Sequence, residues 1–187
     1  AAHHGADDHA HPTVTGISNE KLAMWLFLGT ECLLFGGLIS TYMLYRGRHS
    51  ENLGPDQAWD IPFTSASSFV LLMSSLTMVL AVTASKRRDD RNTKVWLTVT
   101  AVLGSLFVAG QIYEFTTFYR EGLGYTTSLF SSSFYTLTGF HGAHVLGGVV
   151  GIGVVLARGM RGQFSAEHHV AVEAVHYYWH FVDVVWI

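Results

Sequence analysis

The sequence predicts an all-α, polytopic membrane protein: a bundle of five transmembrane helices, N-terminus inside and C-terminus outside. Three observations carry that reading. Hydrophobic residues make up 49% of the 187 positions and charged residues 13%, against ~25% charged in an ordinary soluble domain; mean hydropathy is +0.29. Five stretches approach the ~20 mostly apolar residues that a spanning helix needs. Lys and Arg are shared unevenly between the links that join them. The same composition argues against a disordered chain, a charged soluble enzyme or a nucleic-acid binder, since a net charge of −3 gives no basic footprint. Cys32 is the only cysteine, so an internal disulfide is impossible.

Residues 1–20 read as a polar, His-rich N-terminal tail without a signal-peptide pattern. Its HHGADDHAHP segment reads as a disordered stretch that binds metal weakly and adventitiously. Residues 21–187 read as one five-helix transmembrane domain, with helices over about 22–45, 65–85, 95–119, 134–157 and 168–187. Buried helices of a large soluble α-protein are the alternative, but five such stretches leave almost no polar face for water. Pro62 and Thr64, Thr93, Ser131 to Ser133, and Ser165 precede helices two to five as start signals. The link 46–63, with Gly47, Gly54, Pro55 and Pro62, reads as irregular. The link 86–94 (KRRDDRNTK) holds five of the eleven Lys and Arg and is placed inside. Alternation then puts Lys21, Arg158 and Arg161 on the same side, and Arg46, Arg48 and Arg120 opposite. Trp25, Tyr42, Tyr45, Trp96, Tyr119 and Tyr135 fall near helix ends, where interfacial aromatics sit.

Ionisable residues at membrane depth cost several kcal/mol, so each is a functional candidate. They are Glu31, Glu114, His141, His144, Glu173, His176, His180 and Asp183. At ~100° per residue, Glu173, His176, His180 and Asp183 share one arc of the fifth helix. His141 and His144 lie a turn apart on the fourth, and Gln111 and Glu114 on the third. Ala143, Gly147 and Gly151 form a small-residue stripe that suits close helix approach; no phosphate-loop motif is present.

Depth predicts an outer cluster, in which Glu114 hydrogen-bonds at least one of His141, His144 and His180, with Asp183 nearby. It also predicts an inner cluster of Glu31, Glu173 and His176, with no Lys or Arg inside a span to neutralise Glu31. Two roles stay open on spacing alone. The residues can pair and hold the bundle together, or they can bind metal. Glu173-x-x-His176 has di-iron spacing, but only one such motif lies in a span. The two His pairs suit haem or copper. A transporter is disfavoured, because no repeated, Gly/Pro-broken helices are present.

Two blocks carry a resemblance. They are Thr138-Gly139-Phe140-His141-Gly142-x-His144-Val145, and Tyr178-Trp179-His180-Phe181-Val182-Asp183-Val184-Val185-Trp186. Together they resemble subunit III of the haem–copper cytochrome c oxidases, in its short bacterial five-helix form. Gln111-x-x-Glu114-Phe115 resembles a further family element. Glu31, followed by Phe35, Gly36 and Gly37, matches the buried acid that carbodiimide labels in the family. The resemblance covers about residues 20–187; the family continues past the Val-Val-Trp block, and the His-rich tail is not part of its pattern.

The resemblance implies a non-redox subunit of a proton-pumping terminal oxidase, with no active site, haem or copper in this chain and all metals in partner subunits. It implies packing chiefly on subunit I, with subunit II and other respiratory-complex subunits as further partners. It also implies bound phospholipid in a cleft between helices, support of proton uptake, and limited inactivation during turnover. Membrane lipids are partners and nucleic acid is not. The implied location is the bacterial cytoplasmic membrane. The eight ionisable residues become structural or lipid-cleft residues. Related subunits occur in quinol oxidases and beside nitric oxide reductases, so the electron donor stays open. A di-iron membrane oxidase is the remaining alternative.

Overall fold

A computed structural model describes residues 19–46, 61–161 and 166–187, apart from the side chains at positions 20 and 166–170. The tail 1–18, residues 47–60 of the first link, including Arg48, and Ser165 lie outside the described residues.

Five helices make up the described chain: α1 (Asn19–Arg46), α2 (Ile61–Lys86), α3 (Asp90–Arg120), α4 (Leu129–Met160) and α5 (Ala166–Trp186). At ~1.5 Å per residue, the 32 residues of α4 reach about 48 Å, well beyond a ~30 Å hydrocarbon core. The helices therefore overrun the apolar stretches that announce them. Lys21–Arg46 of α1, and all of α2, α3 and α4, are long and apolar enough to cross a membrane. Among the described residues α5 does not reach that measure, because Glu173, His176, His180 and Asp183 dilute its apolar run.

The helix starts lie earlier in the chain than Thr93 and Ser131 to Ser133, and the caps are other residues. Asp89 caps α3: its Oδ1 accepts the Asn92 backbone N–H at 3.1 Å, and its Oδ2 accepts the Asn92 side-chain amide at 2.6 Å. Those two Asn92 donors hold the exposed Asp89 carboxyl below the usual aspartate range. Ser128 caps α4, its Oγ accepting the Ser131 N–H at 3.0 Å. Thr93 and Ser133 lie inside helices and donate to the carbonyls of Asp89 and Phe130. Pro62 occupies the first turn of α2, where its missing N–H leaves no bond unmade. Thr64 also lies inside α2 and turns its hydroxyl toward α3. Residues 87–89 join α2 to α3, and Arg88 there takes the left-handed conformation (φ 56°) that favours glycine.

Contacts fix the directions. Between α2 and α3, Thr64 meets Glu114 and Thr77 meets Thr100, so rising numbers on one helix pair with falling numbers on the other. The same antiparallel pattern joins α3 to α4 (Gln111 with Thr138; Gly104 with Val149). It joins α4 to α5 (His141 with Trp186; Gly151 with Val175), and α2 to α5 (Ser68 with Trp186; Ser74 with Trp179). Helices α2 to α5 thus close a four-helix ring. Helix α1 packs outside it, antiparallel to α4 and parallel to α5, through Lys21 with Glu173, Phe27 with Tyr178, and Phe35 with Phe181. Of the described α1 residues only Phe35 is buried. Alternation gathers Lys21, Lys86, Arg87, Arg88, Arg91, Lys94, Arg158 and Arg161 at one end of the bundle. Arg46 and Arg120 lie at the other.

Trp179 sits at the centre of the ring, fully buried, in a core that includes Met78, Leu97, Val145 and Ile152. Its indole fills space left by two glycines. A β-carbon on Gly148 would meet the ring at 2.8 Å, and one on Gly104 would clash with the same ring. The close approach is therefore made by Gly104 and Gly148, not by the Ala143, Gly147 and Gly151 stripe. A β-carbon on Gly147 or Gly151 would meet Tyr178 at 3.4 Å or Val175 at 3.8 Å, which is ordinary contact.

Candidate functional site

The ionisable residues within the bundle divide into three groups, each built where particular helices meet. In the first, α1, α4 and α5 converge. Glu31 Oε2 lies 3.1 Å from His144 Nε2, and His144 Nδ1 lies 2.7 Å from the Phe140 carbonyl. Phe35 meets the same imidazole edge-on at 5.0 Å, and Tyr178 donates its hydroxyl to the His144 carbonyl at 3.0 Å. Glu31 thus finds a His partner across the helix boundary, where sequence depth grouped it with Glu173 and His176.

Glu173 instead pairs with Lys21 at 3.0 Å and accepts the Tyr177 hydroxyl at 3.4 Å. The predicted inner cluster is therefore split. Residue number along a helix measures depth but not which neighbour the side chain faces. Lys21 and Glu173 meet because α1 and α5 run parallel and start at the same end.

The second group runs along α5 against α2. His176 and His180 meet edge to face at 4.3 Å. His180 Nδ1 lies 2.6 Å from the Ser75 hydroxyl, and Asp183 Oδ2 is 3.9 Å from the same nitrogen. Neither oxygen of the buried Asp183 has a hydrogen-bond partner. Of the four residues predicted to share one arc of α5, His180 meets α2 through Ser75, whereas Glu173 pairs with Lys21 of α1.

The third group lines a cavity of about 250 Å³ bounded by all five helices. Gln111 donates its amide to the Thr138 carbonyl at 2.6 Å, and Glu114 accepts the Thr64 hydroxyl at 2.6 Å. The expected bond from Glu114 to a histidine is replaced by this one. His144 turns to Glu31 and His180 to Ser75, while both nitrogens of His141 lack a partner. The cause is rotational: a carboxylate on α3 at this depth points at α2, and α4 presents His141 to Phe107 and Trp186.

Sequence reading missed the hydroxyls of α2. Thr64, Ser68, Ser74 and Ser75 supply partners to Glu114, Trp186, Trp179 and His180. Their signal is present in the sequence, since Thr64, Ser68 and Ser75 recur at helical spacing on one side of an otherwise apolar span.

Among the described residues no three His, Cys, Asp or Glu converge in the manner of a metal site. His144 is engaged with Glu31 and a backbone carbonyl, and His141 faces aromatic rings. The His141 and His144 rings thus turn to different neighbours, whereas His176 and His180 meet each other.

Comparison with known proteins bears on what this arrangement serves. The family model described as cytochrome c oxidase subunit III matches residues 3–187. Cytochrome c oxidase subunit 3 of Thermostichus vulcanus is 37% identical over 183 residues, covering 97% of this chain and 88% of that one. Cytochrome c oxidase subunit 3 of Bacillus sp. (strain PS3) is 36% identical over 169 residues, covering 90% and 82%. Cytochrome bo(3) ubiquinol oxidase subunit 3 of Pseudomonas aeruginosa is 32% identical over 186 residues, covering 100% and 88%. With four helices suited to crossing a membrane, and a match that spans almost all of its length, this multi-pass membrane protein belongs to the subunit III family of the haem–copper oxidases.

Proposed function

We propose that this chain is a non-redox subunit of a proton-pumping terminal oxidase in the bacterial cytoplasmic membrane. All five helices cross the bilayer, with the N-terminus inside. The chain packs on subunit I, contacts subunit II, holds phospholipid and sustains proton uptake; the haems and copper belong to the partner subunits. The observation that carries this reading is where the polar groups go. Glu31 is matched by His144, Glu173 by Lys21, Gln111 by Thr138 and His180 by Ser75. Such pairing suits residues that hold helices together in lipid, where the hydrophobic effect gives no drive for helix association. By the same reading Glu31, Glu114, His141, His144, Glu173, His176, His180 and Asp183 serve structure and lipid contact.

The test is the oxidase prepared with and without this subunit. The depleted complex should keep its haem spectrum and its initial rate of oxygen reduction, and lose activity sooner during turnover. Stoichiometric iron or copper in the isolated subunit would overturn the reading. Glu31→Gln should likewise leave the initial rate nearly intact; a collapse with all subunits and haems bound would make Glu31 a direct proton carrier. A quinol oxidase is the second reading, favoured by the relative named a ubiquinol oxidase subunit. Oxidation of reduced cytochrome c by the purified complex, against oxidation of a quinol, separates the two.

A further inference from the structure

Six residues that line the five-helix cavity carry a hydroxyl, amide, carboxylate or imidazole, and four helices supply them: Tyr42 of α1, Thr64 of α2, Gln111 and Glu114 of α3, and Thr138 and His141 of α4. Most meet a partner within the chain. Thr64 donates to Glu114, Gln111 to the Thr138 carbonyl, and the Thr138 hydroxyl to the Phe134 carbonyl. Two do not. His141 is 2% exposed, and no described protein atom bonds either of its ring nitrogens or the buried Tyr42 hydroxyl. Buried donors and acceptors are costly to leave unmet, so a partner is required. The neighbours of His141 are poorly placed to supply one. Trp186 stacks on its ring at 4.8 Å, and Phe107 meets it edge-on at 5.7 Å. Gln111 lies flush on α4, where a β-carbon on Gly142 would collide with its amide oxygen, and its amide is given to Thr138.

Size and position say what fits. The cavity measures about 250 Å³; at ~30 Å³ per molecule that is room for about eight waters. It lies near the end of the bundle where α1 stops. Tyr42 stands one turn before the exposed end of α1 at Arg46, Thr64 lies in the first turn of α2, and Phe118 in the last turn of α3. Solvent at that end is therefore close. A hydrocarbon chain entering from the bilayer would cover the rings of the wall and leave the His141 nitrogens unmet.

We propose that this cavity is a hydration site, in which a connected cluster of ordered water serves His141 and Tyr42 and ties α1 to α4. Water both donates and accepts, so it suits either tautomer of the imidazole and either role of the phenol. A buried water is held by ~2–4 polar partners, and the wall offers enough of them to hold several. Charged and neutral groups are served alike. The Glu114 carboxyl in the wall, and Arg46, which acts electrostatically on Tyr42 from one turn further along α1, fit the same solvent. The cluster does between α1 and α4 what direct bonds do elsewhere at this end, where Thr64 meets Glu114 and Gln111 meets Thr138. It adds a polar tie to the ring contacts of Tyr42 with Phe130 and Phe134. The site does not rest on the function proposed above.

The experiment uses the intact purified oxidase in lipid discs, with two readouts. High-resolution density should show discrete solvent peaks within about 3.2 Å of a His141 ring nitrogen and of the Tyr42 hydroxyl. X-ray radiolysis in water enriched in oxygen-18 should then oxidise His141 with the heavy isotope. Trp179, equally buried but packed in the core, should take up none above background. His141→Phe keeps a ring and removes its polarity, so the peak beside position 141 should be lost and the one at Tyr42 kept. Tyr42→Phe should do the reverse, and it carries the test if His141→Phe does not assemble. Continuous density of an amphiphile in the cavity would overturn the proposal. So would a side chain such as Arg46 on the His141 nitrogens, a cavity without solvent peaks, a His141 as unreactive as Trp179, or peaks unchanged in an assembled variant.

Discussion

A β-carbon at position 148 has nowhere to go, because the Trp179 indole already stands 2.8 Å from where it would lie. Gly148→Ala should therefore destabilise the bundle by about 1–3 kcal/mol, the cost of overpacking a tight core. Gly153, on the same helix with nothing within 4 Å of an added β-carbon, is the control, and Gly153→Ala should be neutral or slightly stabilising. Thermal unfolding of the two variants side by side checks this. Ser74→Ala acts on the same indole from the other side. It strips the acceptor from the Trp179 N–H, which lies 3.0 Å from the Ser74 hydroxyl and is fully buried. A loss of about 1–3 kcal/mol should follow, measured in the same assay. At this scale the sequence is legible in part. Glu31 and His144 stand out as polar residues in apolar runs, and each is within the bundle. That they bond to each other is not legible, because helical periodicity gives a face and not the neighbour on that face. Trp179 is conspicuous in the sequence, yet Gly104 and Gly148 become its socket only when α3 and α4 approach.

The helix ends obey local rules, and the corrections found there are local too. Both Asp89 and Thr93 are cap residues by type, but Asp89 reaches two donors of Asn92 and Thr93 reaches none at the helix start. The Asp89 cap gives a pH dependence whose sign is determined. Because the carboxyl titrates below its ordinary value in the folded chain, its contribution is present above the unfolded aspartate pKa of ~3.9 and is lost as pH falls through the folded value. Asp89→Ala should therefore be less stable than the parent at neutral pH, and the difference should close as the pH drops below about 4. Denaturation at neutral and at acidic pH checks it. A difference that stays constant with pH would show that the cap acts through its shape alone. Five apolar runs announce the five helices, whereas the starts were displaced because several residues of cap type lie near each start, Asp89 and Thr93 at α3 and Ser128 and Ser131 to Ser133 at α4.

At the scale of the molecule, alternation of helix direction brings eight of the described Lys and Arg to the end where α1 begins. Positive residues concentrate on the cytoplasmic side of membrane proteins. A cysteine at position 88, with Cys32 replaced by Ser, should thus react with an impermeant reagent only in inside-out vesicles. Reaction from the outside would invert the topology. The same alternation explains why the polar groups regrouped: the parallel pair of α1 and α5 joins Lys21 to Glu173, while the antiparallel pair of α1 and α4 joins Glu31 to His144. Neither pairing follows from depth alone, since each needs the order of helices around the ring.

Helix α1, outside that ring and buried only at Phe35, has a mechanical consequence. Among the described residues its anchors on the rest of the chain include Glu31 on His144, Lys21 on Glu173, and the rings of Phe35 on Phe181 and Tyr42 on Phe130. Force applied at the N-terminus of a single molecule in a bilayer loads those anchors before any contact between α2, α3, α4 and α5. Extraction should proceed in two stages, with α1 pulled free at low force and the remaining four helices yielding later. Glu31→Gln should lower the first rupture force and leave the second unchanged. Rupture in a single event would mean that the outer helix and the ring share one mechanical unit.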